Sequence, residues 1–243
     1  MTAIGIVGSQ GRMGRAITAA IEETQGAELA GGVDHEGDVA ALAKAADVLV
    51  DFSSPDALEA TLDACAAAGT PILIGTTGLA ERHHYLIDDA ARDIAIIQTG
   101  NTSLGVTMLA ALVRDTAERL GEDWDIEILE MHHRHKVDAP SGTARLLGEA
   151  AAEGRGVSLA EVTEEGRAGL TGPRADGAIG FASLRGGSVA GDHRVIFAGQ
   201  DERIELAHIA EDRVIFARGA VKGALWLPGR DAGRYDMTNV LGI

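Results

Sequence analysis

The sequence predicts an α/β protein in two parts: a parallel sheet wound by helices, then a segment built on an antiparallel or mixed sheet. Three observations carry this. Up to about residue 102, short apolar runs alternate with amphipathic stretches of helical length. Beyond it, strand-like stretches follow one another across turn residues. The length, 243 residues with 46% hydrophobic content, is ample for a sizeable core.

Ala3–Val7 is an apolar run stopped by Gly8 and reads as a buried strand. A helix follows over 11–23, with Met13, Ile17 and Ile21 on one face. Strands are expected at 28–33, 47–52, 71–74 and 94–97. Between them, Ser54 as N-cap and Pro55 at the first helical position open a helix that ends at Gly69. Another helix runs through 82–92. Repeated β-α-β units imply right-handed crossovers and a sheet covered on both faces. In the second part, 104–120 is an amphipathic helix and 124–131 alternates as a strand. Pro140–Thr143 opens a helix over 144–152, and 153–178 reads as surface loop. Strands follow at 180–184, 188–198 and 202–210, the last two joined by a tight turn at Gly199-Gln200-Asp201. Asp212 caps a final helix ending near Leu227.

Composition narrows the function. A net charge of −16 disfavours nonspecific attraction to nucleic acid and anionic membranes. One cysteine cannot form a disulfide within its own chain. No apolar run approaches the roughly 18 residues of a spanning helix, and MTAIGIVG has no basic leader, so a cytoplasmic location is expected. Lys44, Lys136 and Lys222 are the only lysines among 21 basic residues. An acid-rich, lysine-poor surface fits a protein working at high salt, and a GC-rich genome would produce the same bias.

Gly8-Ser9-Gln10-Gly11-Arg12-Met13-Gly14 lies between the first strand and the first helix, where glycines and a helix N-terminus hold a pyrophosphate. Gln10 stands where G-x-G-x-x-G has its middle glycine. Asp34 ends the second strand, 20 residues after Gly14, placed to accept the adenosine ribose hydroxyls. A carboxylate there opposes a 2′-phosphate, so NADH is favoured, while Arg12 and His35 leave NADPH open. Gly75-Thr76-Thr77-Gly78 and Thr99-Gly100-Asn101-Thr102 also follow strands and share that ligand-binding edge.

The densest chemistry is the stretch from Glu130 to Thr143, EMHHRHKVDAPSGT. Three His, an Arg and a Lys within five residues form a cationic patch in an acidic protein, which points to an anionic ligand. The helix start that follows can hold a carboxylate, and His is a natural proton donor near neutral pH. Adjacent His residues rarely converge on one ion, so no metal site is expected. Cys65 reads as a small core residue.

These motifs, together with Asp51-Phe52-Ser53 and Gly219-Ala220-Val221 through Ala224-Leu225-Trp226, make the chain resemble the dihydrodipicolinate reductase family. The resemblance spans nearly the whole chain. It implies a Rossmann-like dinucleotide domain at 1–103, completed by a returning segment at 214–243. Residues 104–213 would be an inserted α+β domain for substrate binding and oligomerisation. It implies a homotetramer that reduces a cyclic dicarboxylate with NADH or NADPH. Residue by residue, Gly8 to Met13, Asp34, Gly75 to Thr77 and Thr99 to Thr102 would contact the cofactor. His132 would be the proton donor with Lys136 as its partner, and His133, Gly142 and Thr143 would bind the substrate carboxylates. Two other readings are a related oxidoreductase of another small dicarboxylate or amino acid, and a catalytically silent nucleotide sensor. The sensor has no use for a His–Lys pair beside a carboxylate-binding helix start.

Overall fold

The computed structural model describes residues 1–243. The chain divides into two compact units, one formed by 1–104 with 214–243, the other by 105–213.

The first unit begins with β1 (Thr2–Val7), α1 (Arg12–Glu23), β2 (Ala27–Val33), α2 (Val39–Ala45) and β3 (Val48–Asp51). It continues through α3 (Leu58–Ala68), β4 (Ile72–Ile74), α4 (Glu81–Ala90) and β5 (Ala95–Gln98). The sheet is wholly parallel, in the order β2-β1-β3-β4-β5, with a sixth strand from the C-terminal segment beyond β5. Because side chains alternate along a strand, each strand serves two cores. Ile4, Ile6, Val48, Val50, Leu73 and Ile97 pack on one face, and Leu49, Ile72, Ile74 and Ile96 on the other, with α3 residues Leu58, Leu62 and Cys65. The chain leaves β1 for β2 on one side and returns to β3 on the other. That reversal opens a crevice at the carboxyl ends of β1 and β3.

The second unit holds most of α5 (Leu104–Leu120), then β6 (Asp125–His132), α6 (Gly142–Arg155), α7 (Leu159–Val162), β7 (Thr163–Glu165), β8 (Ile179–Arg185), β9 (Gly191–Gly199) and β10 (Glu202–Ala210). Its sheet has the order β10-β9-β6-β8-β7 and is mixed: β8 runs parallel to β6, whereas β9 and β10 reverse direction. One face is covered by α5 and α6, whose Leu109, Val113, Leu147 and Ala151 pack on Ile126, Ile128, Ile179, Val195 and Phe197. On strands of this sheet Leu184 and Ile209 are exposed. The 186–190 connection crosses the end of β6, since β8 and β9 flank that strand on opposite sides. Its backbone is pinned there by bonds from Gly186 N–H to the His132 carbonyl and from His133 N–H to the Val189 carbonyl.

The chain then returns as α8 (Val214–Trp226), β11 (Gly233–Tyr235) and α9 (Met237–Leu241). β11 is the sixth strand of the first sheet, and Ala217, Ala220, Val221, Ala224 and Leu227 join the core that α1 covers.

Several expectations are corrected. The helix after β3 starts with a 3-10 turn at Pro55–Ala57, and Ser54 occupies the cap position without a side-chain cap bond. The 153–178 stretch is not all loop: it includes the last turn of α6, then α7 and β7, a polar edge strand held by backbone pairing to β8. The strand expected from 188 begins at Gly191. The sequence pattern does not mark α2, β11 or α9. Each is short, and α2 and α9 are started by aspartates, Asp38 and Asp236, that accept bonds from first-turn N–H groups. No helix is long and apolar enough to cross a membrane.

Candidate active site

In the first unit the Gly8–Gly14 loop joins β1 to α1. Gly8 has φ +84°, and a Cβ there would lie 2.6 Å from the Phe52 carbonyl oxygen. A Cβ on Gly14 would lie 2.3 Å from the Gly8 carbonyl oxygen, so the turn closes only with glycine at both positions. The N-cap of α1 is Gly11, which offers no side-chain cap, and the first turn has no acid. That leaves the positive end of a 12-residue helix to an anion. Arg12 and Gln10 are exposed, whereas the Met13 side chain packs against the core and offers only its backbone to a ligand.

Asp34 stands at the end of β2 with its carboxylate turned to this loop. It accepts from Ser9 Oγ at 2.7 Å and from the Gln10 N–H at 3.2 Å. A cleft of about 480 Å³ opens beside it, lined by Gly8, Gly11, Asp34, His35, Phe52 and Ser53. The other predicted contacts lie at the ends of β4 and β5. Gly75 lies against the Phe52 ring, Thr77 is exposed, and Thr76 is buried with its hydroxyl on Asp51 at 3.2 Å. Asp51 is itself buried; it accepts from the Ser53 N–H and hydroxyl, and burial raises its pKa. Thr99 Oγ1 closes a turn on the Asn101 carbonyl, Gly100 is exposed, and the Thr102 hydroxyl donates to the Phe216 carbonyl at 2.6 Å. The Thr76 and Thr102 hydroxyls are thus tied to the protein itself. A narrow glycine turn, an uncapped helix start and a carboxylate-edged cleft fit a dinucleotide.

In the second unit the inward face of β6 runs Ile126, Ile128, Glu130, His132. The strand's period of two therefore sets an acid beside the predicted proton donor. Glu130 is 1% exposed and His132 8%. His132 Nδ1 lies 2.5 Å from Glu130 Oε2, while Arg185, opposite His132 on β8, holds Glu130 with bonds of 2.9 and 2.8 Å. Burial alone would raise the Glu130 pKa, but hydrogen bonds from Arg185, Ser183 and His132 outweigh it and hold the carboxyl at about 2. Glu130 is then an anion that can only accept, so His132 Nδ1 carries the proton and Nε2 is the nitrogen left for chemistry. Gly191 leaves room there: a Cβ would lie 3.1 Å from His132 Nε2.

The loop after β6 carries His133, His135 and Lys136. Lys136 Nζ pairs with Asp138 Oδ1 at 2.8 Å, and the exposed Asp138 carboxyl is held low mainly by that bond. Burial and the nearby charges of Arg213, His132, His135 and Lys136 lower the His133 pKa. Gly142 and Thr143 are the first residues of α6, whose N-cap Ser141 accepts from Ala144 N–H. Ser141 Oγ also lies 3.1 Å from Nε2 of His193, which is buried opposite Glu130 on β9. Sequence reasoning missed Arg185, His193 and Arg213. No local motif marks them, and only strand register shows that Arg185 and His193 face the Glu130–His132 pair.

His193 gives a pH dependence. Burial first, then the neighbouring positive charge, pushes its pKa from 6.5 down to about 4. Between those values the unfolded chain binds a proton that the folded chain refuses. Stability is therefore complete above pH 6.5 and is lost as pH falls toward 4, by about 3 kcal/mol from this residue. His208 and His133, also shifted down, act in the same sense. The urea midpoint should fall between pH 7 and pH 4, and His193→Gln should flatten that slope. Parallel wild-type and mutant profiles would assign the slope elsewhere.

Comparison with known proteins agrees with this architecture. The family described as dihydrodipicolinate reductase, N-terminus, matches residues 2–102, and its C-terminal counterpart matches 105–241. The 4-hydroxy-tetrahydrodipicolinate reductase of Zymomonas mobilis is 57% identical, covering 99% of this chain and 97% of its own. That of Parvibaculum lavamentivorans is 52% identical with the same coverage. A solved dipicolinate-bound dihydrodipicolinate reductase from Paenisporosarcina sp. TG-14 shares the fold, with a TM-score of 0.78, 21% identity and 97% coverage of both chains. Matched through both halves, the chain belongs to the dihydrodipicolinate reductase family and is an oxidoreductase.

Proposed function

We propose that the protein uses NADH or NADPH to reduce 4-hydroxy-tetrahydrodipicolinate to tetrahydrodipicolinate, in lysine biosynthesis through diaminopimelate. One observation carries the reading furthest: a His ring locked by Nδ1 to a buried anion, on the strand that leads into a helix start suited to a carboxylate.

When bound, the reduced nicotinamide supplies the hydride. The chain's residues do the rest. The Gly142-Thr143 helix start holds one substrate carboxylate, and His133 orients the ring. Loss of the 4-hydroxyl as water gives the conjugated ring, and hydride addition to it leaves an electron-rich, nitrogen-containing fragment that must gain a proton. His132, doubly protonated with its Nδ1–H held by Glu130, delivers it from Nε2 and is left in the Nδ1–H form, while the Lys136 ammonium stabilises the negative charge that develops. In the first unit the Gly8–Met13 loop binds the pyrophosphate. Gly75–Thr77 and Thr99–Thr102 border the same sheet edge, with Thr76 and Thr102 holding those turns in shape.

The test is loss of reduced-nicotinamide absorbance with substrate generated in situ by the preceding synthase. No turnover with that substrate would refute the reading. Asp34 favours NADH, because its carboxylate accepts ribose hydroxyl bonds and opposes a phosphate. Asp34→Ala should raise KM for NADH more than for NADPH. A wild-type preference for NADPH of about tenfold, or about 1.4 kcal/mol, would overturn this. The exposed Leu184 and Ile209 support assembly into a homotetramer through the sheet of the second unit, which the molar mass in solution tests.

A further inference from the structure

We propose that Glu130 is a positioning residue for the reduction, its one buried carboxylate fixing both the tautomer of His132 and the start of the α6 carboxylate seat. The inference rests on the function proposed above and adds a residue to it.

Both carboxylate oxygens of Glu130 are engaged. Oε2 takes His132 Nδ1 at 2.5 Å and an Arg185 nitrogen at 2.9 Å. Oε1 takes the other Arg185 nitrogen at 2.8 Å and the backbone N–H of Ser141 at 3.3 Å. Ser141 is the residue from which α6 begins. Arg185 in turn donates to the Asp138 carbonyl at 2.7 Å, so the loop between His132 and Ser141 is held from the same place. The proton donor and the anion seat therefore share one rigid anchor. Neither can shift without moving Glu130, which is 1% exposed.

An amide in place of the carboxylate keeps the size and removes the charge. Its NH₂ can donate to Nδ1, which turns His132 to the tautomer with its proton on Nε2. Glu130→Gln thereby removes the anion that holds the Nδ1 proton while Nε2 also carries one, so the doubly protonated ring that delivers from Nε2 loses its support even where its position is intact.

The experiment compares wild type, Glu130→Gln and His132→Gln by steady-state kinetics and by ¹⁵N NMR of the histidine rings. Glu130→Gln should lower kcat by about 10²-fold or more while KM for the reduced cofactor stays within about twofold. The Nδ1–H signal of His132, identified by its loss in His132→Gln, should vanish in Glu130→Gln. A packing role alone would not move that signal. A Glu130→Gln enzyme with kcat within about threefold of wild type, or with the Nδ1–H signal unchanged, overturns the proposal. Should Glu130→Gln not fold, the wild-type spectrum decides: a neutral His132 protonated on Nδ1 supports it, and one protonated on Nε2 overturns it. His132→Gln separates the two levels. If that variant is slow while Glu130→Gln is not, only the role of Glu130 falls. If His132→Gln keeps more than about a third of kcat, the proton-donor reading falls and takes this one with it.

Discussion

His132→Gln and Lys136→Ala should each lower kcat by roughly 10²–10⁴-fold, the usual loss when a general acid is removed. Cofactor binding, followed by nicotinamide fluorescence, should stay near wild type, because both residues belong to the unit formed by 105–213 whereas the glycine loop belongs to the other. The two side chains differ in how they are held. His132 is buried and bonded to Glu130; Lys136 is 20% exposed and reaches only the exposed Asp138. Removing the lysine ammonium therefore leaves no buried partner stranded, and its kinetic effect reports on chemistry rather than on folding. The double variant should lose less than the product of the single losses, since both groups serve one transition state. Retention of more than about a third of wild-type kcat by both single variants would refute the roles. A collapse of cofactor binding would instead move the patch to the cofactor side.

Gly14→Ala should cripple the enzyme by another route. The added methyl would lie 2.3 Å from the Gly8 carbonyl oxygen and 2.5 Å from that of Ser9, and backbone cannot step aside as a flexible side chain does. The loop must open, separating N–H groups that have to converge on a pyrophosphate. KM for the reduced cofactor should rise at least about tenfold. Overpacking costs about 1–3 kcal/mol, at about 2–4 °C of Tm per kcal/mol for a chain of this size. Gly154→Ala is the control: Gly154 and Arg114 both belong to the 105–213 unit, and its Cβ would lie 2.3 Å from the Arg114 carbonyl oxygen. It should lose comparable stability and leave KM for the cofactor unchanged. Equal KM values in both variants would show that the Gly8–Gly14 loop does not seat the cofactor.

Much of the architecture is legible in the sequence because the main strands of the first unit are unbroken, if short, apolar runs. Val48–Val50 and Ile94–Ile97 read as buried on both faces, and they are. The short elements escape for a physical reason. β7, Thr-Glu-Glu, is stabilised by its neighbour's backbone, and Gly-Arg-Tyr of β11 by pairing with β5, so neither needs an apolar pattern of its own. The same holds at the site. The His132–Thr143 loop is contiguous and therefore readable, and the alternation of β6 already places Glu130 beside His132. Arg185 and His193 reach the same spot from β8 and β9, through a register that no single stretch of sequence encodes. Spacing alone marks Asp34 as a ribose ligand. Its bonds to Ser9 and Gln10 depend on the loop's path in space.

The return of residues 214–243 to the first unit dictates an order of assembly during synthesis. The 105–213 unit is one uninterrupted stretch and can close as soon as it leaves the ribosome. The earlier-made stretch 1–104 cannot. Its core needs Ala217, Val221, Ala224 and Leu227, and its β5 edge stays unpaired until Gly233–Tyr235 arrives. The strands made first are thus the last to be completed, and they wait with an open edge and one apolar face partly bare. Translation speed through the middle of the chain, which sets the length of that wait, therefore bears directly on how much of the N-terminal sheet aggregates.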